Sequence, residues 1–137
     1  MDEDHALAHE LDRVMRKLDA KLHRLMPSVD KGRVGPMGVL LLLQLESMQP
    51  CNIQALATAM GRDNSQLTRL IRDLEEKGVI SRSPQPDDAR ATLVALTPKG
   101  LTFLNEAKTV LASIVKDFSE NLSAREVVDL IALLRKL

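Results

Sequence analysis

The segment GRDNSQLTRLIRDLEEKG, residues 61–78, carries the side chains of this chain that are best suited to contact an anionic polymer. If the segment is an α-helix, with successive residues about 100° apart, its aliphatic residues share one face and the opposite face is polar. The polar face holds Ser65, Thr68, Arg69, Arg72 and Glu76, with Gln66 at its flank. Because hydroxyl, amide and guanidinium groups bind phosphate oxygens and base edges, this face is a candidate surface for contacting duplex DNA.

The same charges permit a second interpretation, in which the arginines only neutralise acids on the helix surface. Arg69 with Asp73, and Arg72 with Glu76, have the i,i+4 spacing of helical ion pairs, each worth roughly 0.2–0.5 kcal/mol. Local charge does not decide the matter, because residues 62–99 contain seven basic and six acidic residues, a net charge of +1. On this second interpretation the domain is a protein–protein adaptor.

The residues before this segment have the spacing of a helix-turn-helix. Ala57 is small enough for a second helix to cross closely, and Gly61 can adopt the positive φ of the turn. Leu67 and Leu70 then follow where aliphatic side chains lock the crossing. A helix-turn-helix directs the N-terminal half of its second helix into the major groove, and the uncompensated polar side chains lie in that half.

Hydrophobic periodicity predicts further helices on both sides of this unit and a hairpin after it. Helices are expected over 5–26, ended by Pro27; over 37–48; over 53–60, capped by Asn52; over 64–77; and over 98–118, capped by Thr97. A last helix is expected to open at the capping-box sequence SARE, 123–126, and to run to 137. The β-rich segments 79–83 and 91–97 flank the polar turn PQPDDAR. The expected fold class is therefore mainly α with a small β-hairpin wing.

This arrangement resembles the MarR family of winged helix-turn-helix transcription regulators. The resemblance is carried by IQALATAMGRDNSQLTRLIRDLEEKGVISR, 53–82, and by PDDARATLVALTPKG, 86–100. These stretches match, in order, the family's leucine-alanine helix, Ser/Thr-x-x-Thr-Arg recognition helix, Leu-Glu-x-x-Gly turn, Asp-x-Arg wing and Leu-Thr-x-x-Gly restart. The resemblance implies that the recognition-helix residues that meet the major groove are Ser65, Gln66, Thr68, Arg69 and Arg72.

The resemblance also assigns roles in the wing. Arg90 stands at the wing-tip arginine that the family places in the minor groove, where narrow A·T-rich segments attract guanidinium. Asp88 stands at the acid that braces the wing. The residue between them is usually a second arginine in the family and is Ala89 here, which is expected to weaken the contacts of the wing.

The resemblance implies a sequence-specific double-stranded DNA-binding regulator, a homodimer on a pseudo-palindromic operator. It further implies a repressor that responds to a small aromatic or phenolic effector bound between the dimerisation and DNA-binding lobes. The apolar stripes of the first and last helices also favour a second copy of the chain as their partner. The expected division is an N-terminal dimerisation helix and loop over 1–35, the winged helix-turn-helix over 36–100, and C-terminal dimerisation helices over 101–137.

Other classes of function have less support in the sequence. The single cysteine, Cys51, excludes an internal disulfide framework and is a candidate redox sensor, although no neighbouring base or second thiol activates it. His5 and His9 have a spacing that can bind a metal, but without further ligands nearby we expect no metal site. We find no catalytic motif and expect neither enzyme activity nor a cofactor. The acidic N-terminus and the short apolar runs predict a cytoplasmic protein without a membrane span.

Overall fold

The computed structural model describes residues 2–25 and 34–137, and it confirms a mainly helical fold with a small antiparallel sheet. The helices are α1 (Glu3–Leu25), α2 (Gly35–Met48), α3 (Ile53–Met60), α4 (Asn64–Glu76), α5 (Pro98–Phe118) and α6 (Ala124–Leu134). The strands are β1 (Cys51–Asn52), β2 (Ile80–Gln85) and β3 (Asp88–Leu96). The predicted helix-turn-helix is α3–α4, and the predicted wing is the hairpin β2–β3.

Local capping chemistry explains where several helices begin and end. The side chains of Asn52 and Thr97 accept hydrogen bonds from the backbone of the first turns of α3 and α5, at 2.7 and 3.0 Å. Ser123 and Glu126 form the reciprocal capping box that opens α6. Gly61 ends α3 with φ +63°, the left-handed conformation that glycine adopts without a steric penalty. These predicted caps are confirmed.

Several helices differ from the sequence prediction at their ends. α1 begins at Glu3 rather than at residue 5, and α6 ends at Leu134 rather than at residue 137. α2 begins at Gly35 rather than at the predicted Met37. The reason is Pro36, whose fixed φ and missing N–H suit the first turn of a helix. The predicted stop at Pro27 lies outside the described residues, and α1 is described as far as Leu25.

An aliphatic core unites α2, α3, α4, the first half of α5 and the sheet. Its fully buried side chains include Leu41, Leu42, Leu45, Leu56, Leu67, Ile71, Leu74, Ile80, Val94 and Leu104. α4 has four aliphatic side chains on its inner face: Leu67, Leu70, Ile71 and Leu74. Only Leu70 is half-buried rather than buried, because it lies at the edge of the apolar face of the helix. A second cluster joins α1, α2 and α5 through Leu22, Val39, Ala107 and Ile114. The inner face of α4, the predicted recognition helix, is therefore packed against the aliphatic core.

The sheet has three strands in the order β1–β3–β2, all antiparallel. The two-residue strand β1, in which Cys51 pairs with Val94, has no signal in the sequence pattern. The hairpin is also longer than predicted: β2 runs to Gln85 and β3 begins at Asp88, so the turn is reduced to residues 86–87. The pairing is irregular towards the tip: Pro84, which has no backbone N–H, faces Thr92, and the register then shifts so that Gln85 faces Asp88.

Large apolar side chains remain exposed on the first and last helices. On α1 they are Leu7, Leu11, Val14 and Met15, and on α6 they are Val128, Leu130, Ile131, Leu133 and Leu134. No residue of α6 is buried within the described chain. Among the described residues, no helix is both long enough and apolar enough to cross a membrane.

Candidate nucleic-acid interface

The recognition helix α4 begins with a cap that was not predicted from the sequence. Asp63 is its N-cap, and its Oδ1 accepts hydrogen bonds from the backbone N–H of Ser65 at 2.9 Å and from the Ser65 hydroxyl at 2.7 Å. Both hydrogen bonds lower the pKa of the Asp63 carboxyl, and the one from the Ser65 hydroxyl has the larger effect. The lowered pKa keeps the capping carboxylate ionised. An aspartate directly before a helical pattern is a signal of this role. The cap holds the first turn of α4 in shape.

The outer face of α4 presents the five predicted residues in one row. Ser65, Gln66, Arg69 and Arg72 are exposed and Thr68 is half-buried. The Thr68 hydroxyl donates to the backbone carbonyl of Asn64 at 2.7 Å, and the Ser65 hydroxyl donates to the cap. Both hydroxyl protons are therefore used within the helix, and these two oxygens offer a ligand their lone pairs. The amide of Gln66 and the two guanidinium groups remain as the donors of this face.

The arginines of this face do not form the ion pairs that their spacing allowed. Asp73 pairs instead with Lys77, at 2.8 Å, and Glu75 pairs with Arg82, at 2.8 Å. Within residues 2–25 and 34–137, no carboxylate lies within 4.0 Å of the guanidinium of Arg69 or Arg72. Within the described part of the chain, Arg69 also acts electrostatically on Asp63, and this is the smallest of the effects that lower the pKa of that acid. The interpretation of Arg69 and Arg72 as salt-bridged surface charges is therefore wrong for this structure.

Two of the three acids of α4, Asp73 and Glu75, form ion pairs with basic residues that follow the helix, whereas Glu76 forms none with the described residues. Lys77 follows α4 directly, and Arg82 reaches back from the wing strand β2. The ion-pair partners of these acids are thus basic residues that follow the helix in the chain. The positive charges of Arg69 and Arg72 are therefore not offset by a carboxylate of the described residues. This distribution of partners makes the polar face cationic although the local net charge is close to zero.

A pocket of about 440 Å³ adjoins this face. It is lined by Met37 of α2, by Leu67 and Leu70, and by the polar side chains of Arg62, Gln66 and Arg69. Arg62 is exposed in the turn between α3 and α4, and it was not among the predicted site residues. A third cation therefore lies beside Arg69, and the half-buried Leu70 forms part of the apolar floor below it.

The wing carries the other predicted contact. Arg90 is exposed on β3, close to the two-residue turn, and Asp88 Oδ1 accepts a hydrogen bond from the Arg90 backbone N–H at 3.0 Å. This hydrogen bond constrains the backbone that carries the guanidinium, which supports the bracing role predicted for Asp88. Arg90 and Gln54, which is in the first turn of α3, both line a second cleft of about 470 Å³. A groove that is open to solvent therefore lies between the wing and the helix-turn-helix.

The remaining candidate sites are less suited to chemistry. Cys51 is only 9% exposed, and burial raises the pKa of its thiol, which disfavours the nucleophilic thiolate. His5 is exposed at the start of α1, where its Nδ1 lies 2.8 Å from Asp2 Oδ1. Among the described residues, no group of three or more His, Cys, Asp or Glu side chains is placed to hold a metal ion.

Comparison with known proteins gives the same picture as the geometry. Residues 38–92 match the model of the MarR family. A protein of Thauera aromatica described as a transcriptional regulatory protein for the hcr operon is 37% identical over 101 residues, which are 73% of this chain and 61% of the relative. The matched part of this chain therefore spans less than two thirds of that relative's length.

Two solved structures resemble the whole chain. The reduced form of MarR from E. coli is 27% identical, with a TM-score of 0.82 and coverage of 95% of this chain and 94% of the other. A mutant E. coli MarR in complex with operator DNA is 25% identical, with a TM-score of 0.74 and coverage of 99% and 98%. The likeness extends over the terminal helices as well as the winged helix-turn-helix.

Proposed function

We propose that this chain, a member of the MarR family, is a transcription regulator that binds double-stranded DNA in a sequence-specific manner. The observation that carries the proposal is the exposed pair Arg69 and Arg72, neither of which has a carboxylate partner in the described part of the chain. Guanidinium groups held on a rigid helix read base edges and bind phosphates in the major groove. The MarR structure with operator DNA supports the same use of this fold.

We assign the DNA contacts to two elements. The exposed face of α4 enters the major groove with Ser65, Gln66, Thr68, Arg69 and Arg72, and Arg90 of the wing reaches the neighbouring minor groove. Asp88 holds the backbone of the wing at Arg90 and makes no contact of its own. The local net charge of +1 predicts modest non-specific affinity, so specific binding relies on two copies acting together.

The second copy is the natural partner for the exposed apolar faces of α1 and α6. Leu7, Leu11 and Met15 are 55%, 40% and 65% exposed, and Ile131 and Leu134 are 45% and 52% exposed. Covering such faces with an identical chain gives a two-fold dimer. Its recognition helices would then meet two half-sites about one helical turn, roughly 34–36 Å, apart on a pseudo-palindromic operator. In this division, residues 1–35 and 101–137 dimerise and residues 36–100 bind DNA.

We propose regulation by a small molecule because the resemblance to the MarR family implies it. A small aromatic or phenolic effector that binds between the dimerisation and DNA-binding lobes would release DNA only if it favours a lobe spacing that does not fit the operator. We therefore propose a repressor that such a ligand inactivates. We expect no enzyme activity, since the family consists of transcription regulators, and we place the protein in the cytoplasm with its DNA.

The two alternatives are less well supported. A protein–protein adaptor would leave Arg69 and Arg72 paired with acids, which the structure contradicts. A thiol sensor requires an accessible, acidic thiol, whereas Cys51 is buried and its pKa is raised. DNA binding is therefore the function that the site supports best.

The proposal is tested by fluorescence anisotropy with a labelled duplex that carries the promoter of the protein's own gene. We expect salt-sensitive binding that exceeds binding to a scrambled duplex of equal length. Arg69→Ala should cost about 1–3 kcal/mol of binding free energy if that side chain reads a base. Arg125→Ala is the matched control, since Arg125 is an exposed arginine on α6 that pairs with Asp129 at 3.3 Å. Weak binding that is indifferent to both substitutions would favour the adaptor.

The oligomeric state is tested separately by sedimentation equilibrium. We expect the wild-type chain to be a dimer and Leu11→Glu, which introduces a charge on the apolar face of α1, to shift it towards monomer. Lys17→Glu is not a suitable control because Lys17 lies over the ring of Phe118, 5.2 Å from its centroid. Arg16→Glu, at a side chain that is 81% exposed, serves instead. A monomeric wild-type protein that still binds one duplex tightly would exclude the two-half-site arrangement.

A further inference from the structure

An ion pair connects the recognition helix to the wing. Arg82 of β2 approaches Glu75, in the last turn of α4, with Nη2 at 2.8 Å and Nε at 3.0 Å from the same carboxylate oxygen, Oε1. The two side chains are 33% and 34% exposed, so the pair is partly shielded from water. The carboxylate also raises the pKa of Arg82, as two short contacts to an anion should. This contact differs from the exposed pairs along α1, which lie within a single helix.

The strand that carries Arg82 is well anchored at this position. Arg82 pairs with Val94 of β3, which is fully buried in the core. Side chains two apart on a strand share a face, so Arg82 lies on the same face as the buried Ile80, one step closer to the tip of the wing. From Val94, strand β3 leads along the hairpin to Arg90. The ion pair is therefore placed where it can set the angle between the hairpin and α4.

We propose that the Arg82–Glu75 pair positions the wing, so that Arg90 and the arginines of α4 meet one duplex at the same time. Arg82 is a positioning residue in this proposal and does not touch DNA. The inference rests on the proposed function, because it assigns a mechanical role within the same DNA-binding surface. It also gives a reason for an acidic residue on a helix that binds a polyanion, since Glu75 is needed to hold the wing.

A purely electrostatic role of Glu75 and a role in positioning the wing predict opposite effects of Glu75→Ala on DNA affinity. Glu75→Ala removes a negative charge from the DNA-binding helix, so a purely electrostatic role predicts tighter binding. If Glu75 holds the wing, the same substitution weakens binding to the operator, by roughly three- to tenfold. Glu76→Ala is the matched control, because Glu76 is an exposed acid on the same turn and forms no ion pair with any described residue.

The experiment measures operator affinity by anisotropy and, in parallel, hydrogen exchange of the amides of β2 and β3. We expect Glu75→Ala to weaken binding and to speed exchange in the wing, whereas Glu76→Ala leaves exchange unchanged and binding unchanged or tighter. Arg82→Ala should resemble Glu75→Ala in both measurements. The charge-swapped double variant Glu75→Arg, Arg82→Glu should restore slow exchange and recover part of the affinity.

The results that would overturn the positioning role differ from those that would overturn the proposed function. Tighter binding by Glu75→Ala, or unchanged exchange in the wing, would overturn the positioning role. Thermal unfolding shows whether each variant is folded, and Lys108→Ala, which breaks the pair between α5 and Glu46, reports what losing an ion pair outside the wing does to binding. If the wild-type chain binds no duplex at all, the proposed function fails, and the exchange rates still decide whether the pair holds the wing.

Discussion

Gly100, in the first turn of α5, lies directly against the backbone of Val79 at the junction of α4 and β2. A Cβ at position 100 would overlap the carbonyl oxygen of Val79 and come within 2.9 Å of its carbonyl carbon. The same oxygen accepts a hydrogen bond from the Thr97 backbone N–H at 3.2 Å, and the Thr97 hydroxyl donates to the Gly78 carbonyl at 2.6 Å. The end of the recognition helix is therefore joined to the start of α5, the helix that leads towards the proposed dimer interface.

This close approach predicts the effect of adding one methyl group. Gly100→Ala should destabilise the fold by about 1–3 kcal/mol, because the backbone at Val79 cannot move without disturbing the core. The sign of this stability change is informative, because alanine within a helix is otherwise more stable than glycine by roughly 0.5–1 kcal/mol. Urea unfolding measures the difference, with Ser113→Ala at an exposed position of the same helix as the control. A Gly100→Ala protein that is as stable as the control, or more stable, would contradict the contact.

The cap of the recognition helix predicts a dependence of stability on pH. Hydrogen bonds from Ser65 lower the folded-state pKa of Asp63 below its ordinary value of 3.8. Because the folded pKa is the lower one, the stability from this cap is present above the unfolded pKa and is lost as the pH falls through the folded pKa. The difference in unfolding free energy between wild type and Asp63→Ala should therefore shrink as the pH falls below about 4.

Urea unfolding of both proteins between about pH 3 and pH 6 measures this difference. Glu120→Ala, at an exposed position beyond α5, controls for the general loss of carboxylate charge. A difference between wild type and Asp63→Ala that is constant over this range would show that the cap does not act through its ionised form.

The burial of Cys51 predicts a thiol that resists reagents and oxidants. Burial raises its pKa above the ordinary value of 9.0, so the thiolate is scarce at neutral pH. We expect slow alkylation of the folded protein and rapid alkylation in urea, and we expect peroxide to leave DNA binding unchanged. Because the folded pKa is raised, stability should also fall as the pH rises past about 9, and Cys51→Ala should abolish that part of the decline. Release of DNA by oxidant that disappears in Cys51→Ala would instead establish a thiol sensor.

The wing arginine predicts a change in salt dependence. Removal of one cation that contacts the phosphate backbone makes the slope of log K against log salt shallower by about one unit. We therefore expect Arg90→Ala to weaken binding to the operator and to flatten this slope. Lys116→Ala, at an exposed lysine in the last turn of α5, should change neither quantity. Equal slopes for Arg90→Ala and wild type would remove Arg90 from the set of DNA contacts.

Much of the fold could be predicted because the signals are local. Asn52, Thr97 and Ser123 cap the helices that follow them, and Gly61 takes the positive φ of the turn. Each of these features depends on a few neighbouring residues, and the same is true of the apolar face of α4. The extension of the hairpin and the short strand β1 were missed, since strand pairing is made by partners distant in sequence.

The sequence by itself determined which residues share the polar face of α4 and that a winged helix-turn-helix carries them, because helical periodicity and capping act within one or two turns of chain. Only the tertiary structure decided which charges on that face are neutralised. Asp73 pairs with Lys77 rather than with Arg69, and Glu75 pairs with Arg82 of the wing. Arg72 and Glu76 form no ion pair with any described residue, so both arginines of α4 lack the predicted partners. The choice among partners depends on distances between packed elements, and those distances are set by the aliphatic core that packs α4 against its neighbours.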